Sequence, residues 1–290
     1  MELFLIIFFI LLFIFVSITI HELGHFFAAK LLHVRVKEIS IGIGPKIFIF
    51  KSKNTWVSLR LFPIIAYVLI DSRKLIDTYN EAITEVNFSF EKKISKIKNT
   101  DSLYYKFLLW SNSRKITNYK YFSNSGNPKF LIDNKYWWEK NLIFAGGIFF
   151  NAIIFLVFFF VQYYFFGYYG SPYNQVGQSF LIMFKNMVFL DTTGYTLFGS
   201  FIELNNTGEI QHVNIPLVIV NYLVVFNLMI FIYNIIPFPP LDGYKMLSIL
   251  IEKFFNVKIN KKFETCLTII GIVILFYIFI TTVIANIRFS

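Results

Sequence analysis

His21-Glu22-Leu23-Gly24-His25 is a stretch whose residue types and spacing could do chemistry. On an α-helix, residues four apart share one face at about 5–6 Å, so both imidazoles can reach one metal ion. Glu22 stands beside them, where its carboxylate can take a proton from water held by that metal. Zinc lowers the pKa of such water to about 7, and a carboxylate base then yields hydroxide at neutral pH. Two histidines leave the set incomplete, because catalytic zinc usually takes three protein ligands and keeps its fourth position open. His33 follows His25 by eight residues, about 12 Å along a helix axis, which is too far unless the helix breaks. The single cysteine, Cys266, leaves too few thiols for a cysteine-rich site, so the third ligand must be His, Asp or Glu.

Asp242 is the candidate. From Val213 to Leu241 there is no ionisable side chain except Tyr, and Asp242 then follows Pro237-Phe238-Pro239-Pro240-Leu241 directly. The prolines cannot continue a helix, so the chain becomes extended or kinked just before the acid. Ionisable residues at membrane depth are rare and usually functional, and non-helical backbone there is tolerated where it lines an enclosed cavity.

The elements that must position these residues are membrane helices. The chain is 56% apolar and only 15% charged, against about a quarter charged in an ordinary soluble domain. Four segments are long and apolar enough to span a bilayer: Leu3 to about Leu32, Leu142 to Phe166, about Val213 to Ile236, and Cys266 to Ile287. The first lacks the basic start and small-residue exit of a cleaved signal peptide. The net charge of +10 is concentrated between the apolar runs, where it reports topology and not nucleic-acid binding. Between Val34 and Asn141 stand 19 of the 27 Lys and Arg residues, and Pro237 to Thr265 holds five, whereas Gly167 to His212 holds one. The positive-inside bias puts both basic loops in the cytoplasm and both termini outside, with His21, His25 and Asp242 near the cytoplasmic side of a multi-pass cell-membrane protein.

The motif His21 to His25, taken with Asn234-Ile235-Ile236-Pro237-Phe238-Pro239-Pro240-Leu241-Asp242-Gly243, resembles the site-2 protease family of intramembrane metalloproteases. Gly42-Ile43-Gly44-Pro45 is similar to that family's glycine motif after the first helix, and Gly146-Gly147 with Asn151 to the start of its second. The resemblance implies that His21, His25 and Asp242 bind Zn2+, that Glu22 is the general base, and that Asn234 contacts substrate or the reacting carbonyl. Its substrates would be single-span membrane proteins. Many bacterial members carry a PDZ domain between the second and third core helices. Here only 46 residues, 167–212, lie there, too few for one. Phe62 to Val68 also replaces a stretch that is small and glycine-rich in many members.

Ile47 to Phe50 and Thr55 to Phe62 read as strands about a turn at Lys51 to Asn54, near the cytoplasmic face. Val57, Leu59 and Leu61 alternate with Ser58 and Arg60. A helical substrate hides its peptide bonds, so a free sheet edge bearing these residues could hold it extended by β-addition. The expected architecture is an all-α membrane protein with four transmembrane helices and this small inserted hairpin. Residues 1–70 hold the first helix and hairpin, 71–140 a basic cytoplasmic accessory region, and 141–290 helices two to four. A helix is expected in the accessory region from about Glu81 to Lys98, and the region as a whole is expected to rest a basic face on anionic membrane lipid. A short amphipathic piece is expected at Phe180 to Leu190. Two other readings compete with the protease: a catalytically silent module that binds membrane helices, and a zinc transporter, which would favour repeated halves that this chain does not show.

Overall fold

The computed structural model describes residues 2–52, 55–95, 97, 102–124, 127–166, 215–257, 259–260, 262–274 and 277. The outer loop, the piece at Phe180 to Leu190 and most of the fourth expected span beyond residue 277 lie outside them. The protein is mostly helical with one small sheet. It divides into two compact units, Met1–His25 with Asn141–Ser290, and Phe26–Lys140.

The first unit is built from α1 (Glu2–Leu31), α4 (Trp137–Phe166), α5 (Ile215–Ile235) and α6 (Asp242–Phe255), followed by helical residues 262–274. Leu12–Leu31 and Trp137–Phe165 are each long and apolar enough to cross a membrane. Of the third and fourth expected spans, the described helical parts are α5 and residues 262–274. Along α4 the exposed face is Phe149, Ile153, Leu156 and Phe160, while Asn151 is fully buried. Apolar outside and polar inside is the arrangement of a helix solvated by lipid. A Cβ on Gly24 would overlap the Gly146 carbonyl, and one on Gly147 would stand 2.6 Å from His25 Nε2. Glycines at this crossing let α1 and α4 approach backbone to backbone, which brings α4 against both histidine rings.

The second unit begins at Phe26, within the last turns of α1. His33 adopts φ 55°, and Val34 N–H returns to the Ala29 carbonyl at 2.8 Å, closing the helix before β1. β1 (Val36–Ser52) and β2 (Thr55–Ile70) pair antiparallel. Both strands are longer than the sequence predicts. Lys37, Glu38 and Ser40 are buried polar residues that break the apolar pattern at the start of β1. Gly42 and Gly44 take φ 94° and 90°, a conformation open to glycine, and there the hairpin doubles back on itself. Trp56 to Leu59 consequently runs alongside Glu38 to Ile41 as well as opposite Phe48 to Lys51.

Two helices complete this unit, α2 (Arg73–Ile94) and α3 (Leu103–Ser123), each capped by a serine: Ser72 Oγ accepts from Leu75 N–H and Ser102 Oγ from Tyr105 N–H, both at 3.2 Å. The sequence expectation of one helix from Glu81 to Lys98 is thus replaced by a helical hairpin. Its base is tied to β1 through Lys37, whose Nζ donates to the Tyr121 carbonyl at 3.2 Å and to the Asn124 carbonyl. Both carbonyls stand at the C-terminal end of α3, where the helix dipole favours a cation. Asp71, fully buried, lies 3.6 Å from Lys37 Nζ and 3.8 Å from Arg35. Burial pushes the Asp71 carboxyl up and the Lys37 ammonium down from their ordinary values, and each partly restrains the other.

Candidate metal centre

His21 and His25 stand one turn apart on α1, both buried, with ring centroids 4.7 Å apart. Their orientation is fixed by what their Nδ1 atoms meet. His25 Nδ1 lies 2.9 Å from the Ile143 carbonyl, which can only accept, so that nitrogen carries the hydrogen. His21 Nδ1 lies 2.9 Å from Asn151 Oδ1. The Asn151 amide nitrogen is committed elsewhere, to Asn227 Oδ1 at 3.1 Å and the Ser17 carbonyl at 3.3 Å, so its oxygen faces the ring. Asn227 in turn donates to Ser17 Oγ at 3.1 Å and to the Leu223 carbonyl at 2.8 Å. With both Nδ1 atoms protonated, the neutral rings present their Nε2 lone pairs to the same point.

Asp242 meets them there. The Asn234-to-Asp242 segment leaves α5 through Pro237, Pro239 and Pro240, and Asp242 opens α6, so its carboxylate emerges at a helix N-terminus. A Cβ on Gly243 would stand 2.6 Å from the Ile236 carbonyl, so the turn closes only with glycine. Asp242 Oδ2 is 2.8 Å from His21 Nε2 and 2.8 Å from His25 Nε2, and the two Nε2 atoms are 3.1 Å apart. His21, His25 and Asp242 are the group able to hold a metal ion among the described residues. Ligand atoms at about 2.0–2.1 Å from a tetrahedral zinc stand roughly 3.3 Å from one another. The observed 2.8, 2.8 and 3.1 Å are shorter than that, so the three atoms would open slightly around an ion. Two nitrogen lone pairs and a carboxylate oxygen in mutual contact repel unless a proton or a metal ion lies among them, and two imidazoles with one carboxylate are a donor set that fits a divalent metal.

The other carboxylate oxygen is held separately. Lys245, one turn along α6, donates from Nζ to Asp242 Oδ1 at 2.9 Å and lies 5.2 Å from the Phe144 ring centroid. This assigns one Asp242 oxygen to the metal point and the other to a cation, which favours one-oxygen ligation. Glu22, half-buried, follows His21 on α1 and so sits at the edge of the same point.

Asn234 sits in the last turn of α5, where its Nδ2 donates to the Ile230 carbonyl at 2.9 Å and its Oδ1 accepts a long 3.5 Å contact from Asp242 N–H. It therefore steadies the turn that delivers Asp242. An amide has two donor hydrogens and two acceptor sites, so capacity remains for another partner. Val57, Leu59 and Leu61 lie on β2 in the other unit. Val57 stands opposite both Ile39 and Phe50, and Leu59 opposite both Ile41 and Phe48, so this stretch is interior to the sheet rather than a free edge. The open edge alongside it is the exposed second half of β1, including Ile47 to Phe50.

Sequence reasoning did not single out Lys245, which it counted only toward topology. Asn151, expected near the start of the second core helix, bridges α4 to α1 and α5 and also orients His21. A signal existed for both. An acid followed three residues later by a lysine on a helix is a paired geometry, and a buried asparagine one turn past a Gly-Gly crossing must find a partner.

A sequence model of Peptidase family M50 matches residues 8–278. A provisionally named zinc metalloprotease of Clostridium acetobutylicum is 55% identical over 53 residues, 18% of this chain and 16% of that protein. Its counterpart in Fusobacterium nucleatum is 47% identical over 58 residues, 20% and 17%. One from Thermotoga maritima is 51% identical over 51 residues, 18% and 10%. The aligned stretches thus span less than a fifth of these relatives.

Proposed function

From membership of peptidase family M50, to which this chain belongs, we propose that it is a zinc metalloendopeptidase that hydrolyses peptide bonds within the membrane-spanning segments of other proteins. The observation that carries the reading is the convergence of His21 Nε2, His25 Nε2 and Asp242 Oδ2 within 3.1 Å of one another, inside apolar helices. A family of membrane metalloproteases implies zinc, and this donor set suits it. Zinc bound there would supply Lewis-acid polarisation of the scissile carbonyl and acidify a water molecule. Glu22 accepts a proton from that water as its oxygen attacks the carbonyl carbon. Glu22 then delivers the proton to the amide nitrogen as the C–N bond breaks. Asn151 and the Ile143 carbonyl keep the histidines in the tautomer that leaves Nε2 unprotonated, and Lys245 keeps Asp242 aimed.

The proposal includes four membrane-spanning helices, both termini outside, and a site near the cytoplasmic side, supported by the distribution of basic residues. Substrates are single-span membrane proteins. Their extended segment would pair with the open 46–52 edge of the hairpin, with Val57, Leu59 and Leu61 on the neighbouring strand and the remaining capacity of Asn234 for the substrate backbone. The test is cleavage of a panel of single-span substrates in detergent by wild type and Glu22→Gln, with zinc measured on the same samples. Equal zinc with activity lowered about 10²–10⁴-fold is expected. Equal zinc with no cleavage by wild type would favour a silent helix-binding module. No zinc in either would end the metal-site reading.

A further inference from the structure

The outer face of α3 carries an aromatic stripe that nothing in the catalytic reading uses. Leu103, Phe107 and Trp110, with Arg114, fall at i, i+4, i+7 and i+11, a single helical face. Their apolar side chains are strongly exposed, Leu103 at 87%, Phe107 at 57% and Trp110 at 54%, and Tyr104 beside them at 60%. The opposite face of α3, with Tyr105, Leu108, Ile116, Tyr119 and Phe122, turns inward, so the stripe is not the helix's packing face. The exposed rings are organised: Phe107 and Trp110 lie 6.1 Å apart, and Arg114 stacks over Trp110 at 4.9 Å. Lys106, exposed, flanks the stripe on one side, whereas Lys115 lies toward α2, where it lines a groove with Glu85 and Leu108.

Charge decides the occupant. α3 contains Lys106, Arg114, Lys115 and Lys120 and no acidic residue, whereas α2 carries Asp77, Glu81, Glu85 and Glu91. An aromatic and leucine stripe bordered only by cations complements an anionic surface whose interior is apolar, which is a bilayer of anionic lipid. The chain enters this unit from α1 and leaves it into α4, so a bilayer is always within reach and even weak docking is intramolecular. We propose that α3 lies on the anionic leaflet, with Leu103, Phe107 and Trp110 at the headgroup–acyl boundary and Lys106 and Arg114 on lipid phosphates. The inference rests on the membrane anchoring of α1 and α4, not on the chemistry at His21.

The test uses the full chain carrying Cys266→Ser and Ser113→Cys, labelled with a fluorophore and placed in nanodiscs of phosphatidylcholine alone or mixed with phosphatidylglycerol. A parallel label at Asp77→Cys reports α2. In the mixed discs the α3 label should be quenched by shallow nitroxide lipids and shielded from acrylamide, while the α2 label stays open to acrylamide. Reversing Lys106 or Arg114 to Glu should weaken the docking equilibrium about fivefold or more each, and added salt should weaken it further. If the α3 label stays open to acrylamide and untouched by nitroxide lipid in both discs, the proposal fails. If it is shielded equally in both and indifferent to charge reversal, another protein surface or a second copy covers α3, and the proposal fails as well.

Discussion

Each unit buries a cluster of ionisable side chains, and the two clusters mean opposite things. In the hairpin unit, Lys37, Arg35 and Asp71 bring cations and an anion together, and Lys37 also satisfies two carbonyls at the end of α3. That cluster carries its opposite charges within the chain, although the cations stand 3.6 and 3.8 Å from Asp71 and neither of its oxygens is hydrogen-bonded. Beside α1, His21, His25 and Asp242 aim two nitrogen lone pairs and a carboxylate oxygen at one point, and the cation nearest them, Lys245, is bonded to the other oxygen. This cluster is complete only with a cation from outside. Burial alone does not distinguish a structural cluster from a functional one. Whether the chain itself supplies the opposing charge does.

The sharpest way to break this contrast is to remove the metal. Chelation should destabilise the unit holding His21 by about 4 kcal/mol, where zinc had stood near 1,000 times its dissociation constant. The same treatment should leave the unit holding Asp71 unchanged. Hydrogen exchange read separately over α4 and over α3 would check it, and equal loss of protection in both units would erase the distinction.

The converse perturbation is Asp71→Ala. Removing one partner of a buried pair costs about 3 kcal/mol, at the low end of the usual range because Lys37 keeps its two carbonyl acceptors. Protection should fall over β1 and α3, with zinc content and cleavage retained. A loss of bound zinc in Asp71→Ala would show that the second cluster also serves the first.

These two clusters were unequally legible in the sequence. His21, Glu22 and His25 were readable because a helix turns a five-residue motif directly into geometry. Asp242, 221 residues from His21, was found because an acid after a proline run in an apolar segment is conspicuous. The Lys37 cluster was hidden because Arg35, Lys37 and Asp71 are individually ordinary and meet only when the hairpin closes. The same residues disguised the start of β1. α3 was missed because aromatics occupy its outer face as well as its inner one, which erases the amphipathic contrast that marks a helix. The hairpin's doubling back at Gly42 and Gly44 was equally unreadable, so Val57 and Leu59 were expected at an edge they do not form.

Within the metal cluster, the supporting residues grade the contrast. Asn151→Leu removes the acceptor for His21 Nδ1–H and the donor to Asn227 Oδ1, while Asn227 keeps its bonds to Ser17 Oγ and the Leu223 carbonyl. Zinc affinity should fall about 10–100-fold, as for other outer partners of metal-binding histidines. Competition with a chromogenic chelator measures this directly, and an unchanged affinity would mean that the helix crossing at Gly24 and Gly147 orients the ring unaided. Lys245→Met should act more weakly, because Lys245 is half-exposed and its pairing with Asp242 is partly screened by solvent. A loss of less than about 10-fold is expected, and Lys245→Arg should restore most of it.

The smallest effect is expected where the most apolar surface is exposed. Trp110→Ser removes a large side chain from α3, yet Trp110 contributes little to packing within the unit because its ring lies outside the interface with α2. In detergent micelles lacking anionic lipid, stability should change by no more than about 0.5 kcal/mol, and zinc content should not change. In phosphatidylglycerol-containing discs, the same substitution should lower the fraction of α3 shielded from acrylamide. An equal destabilisation in both settings would place Trp110 in the protein's own core and remove it from the lipid-facing stripe. A change confined to the anionic bilayer would show that one unit is completed by a metal ion and the other by a surface.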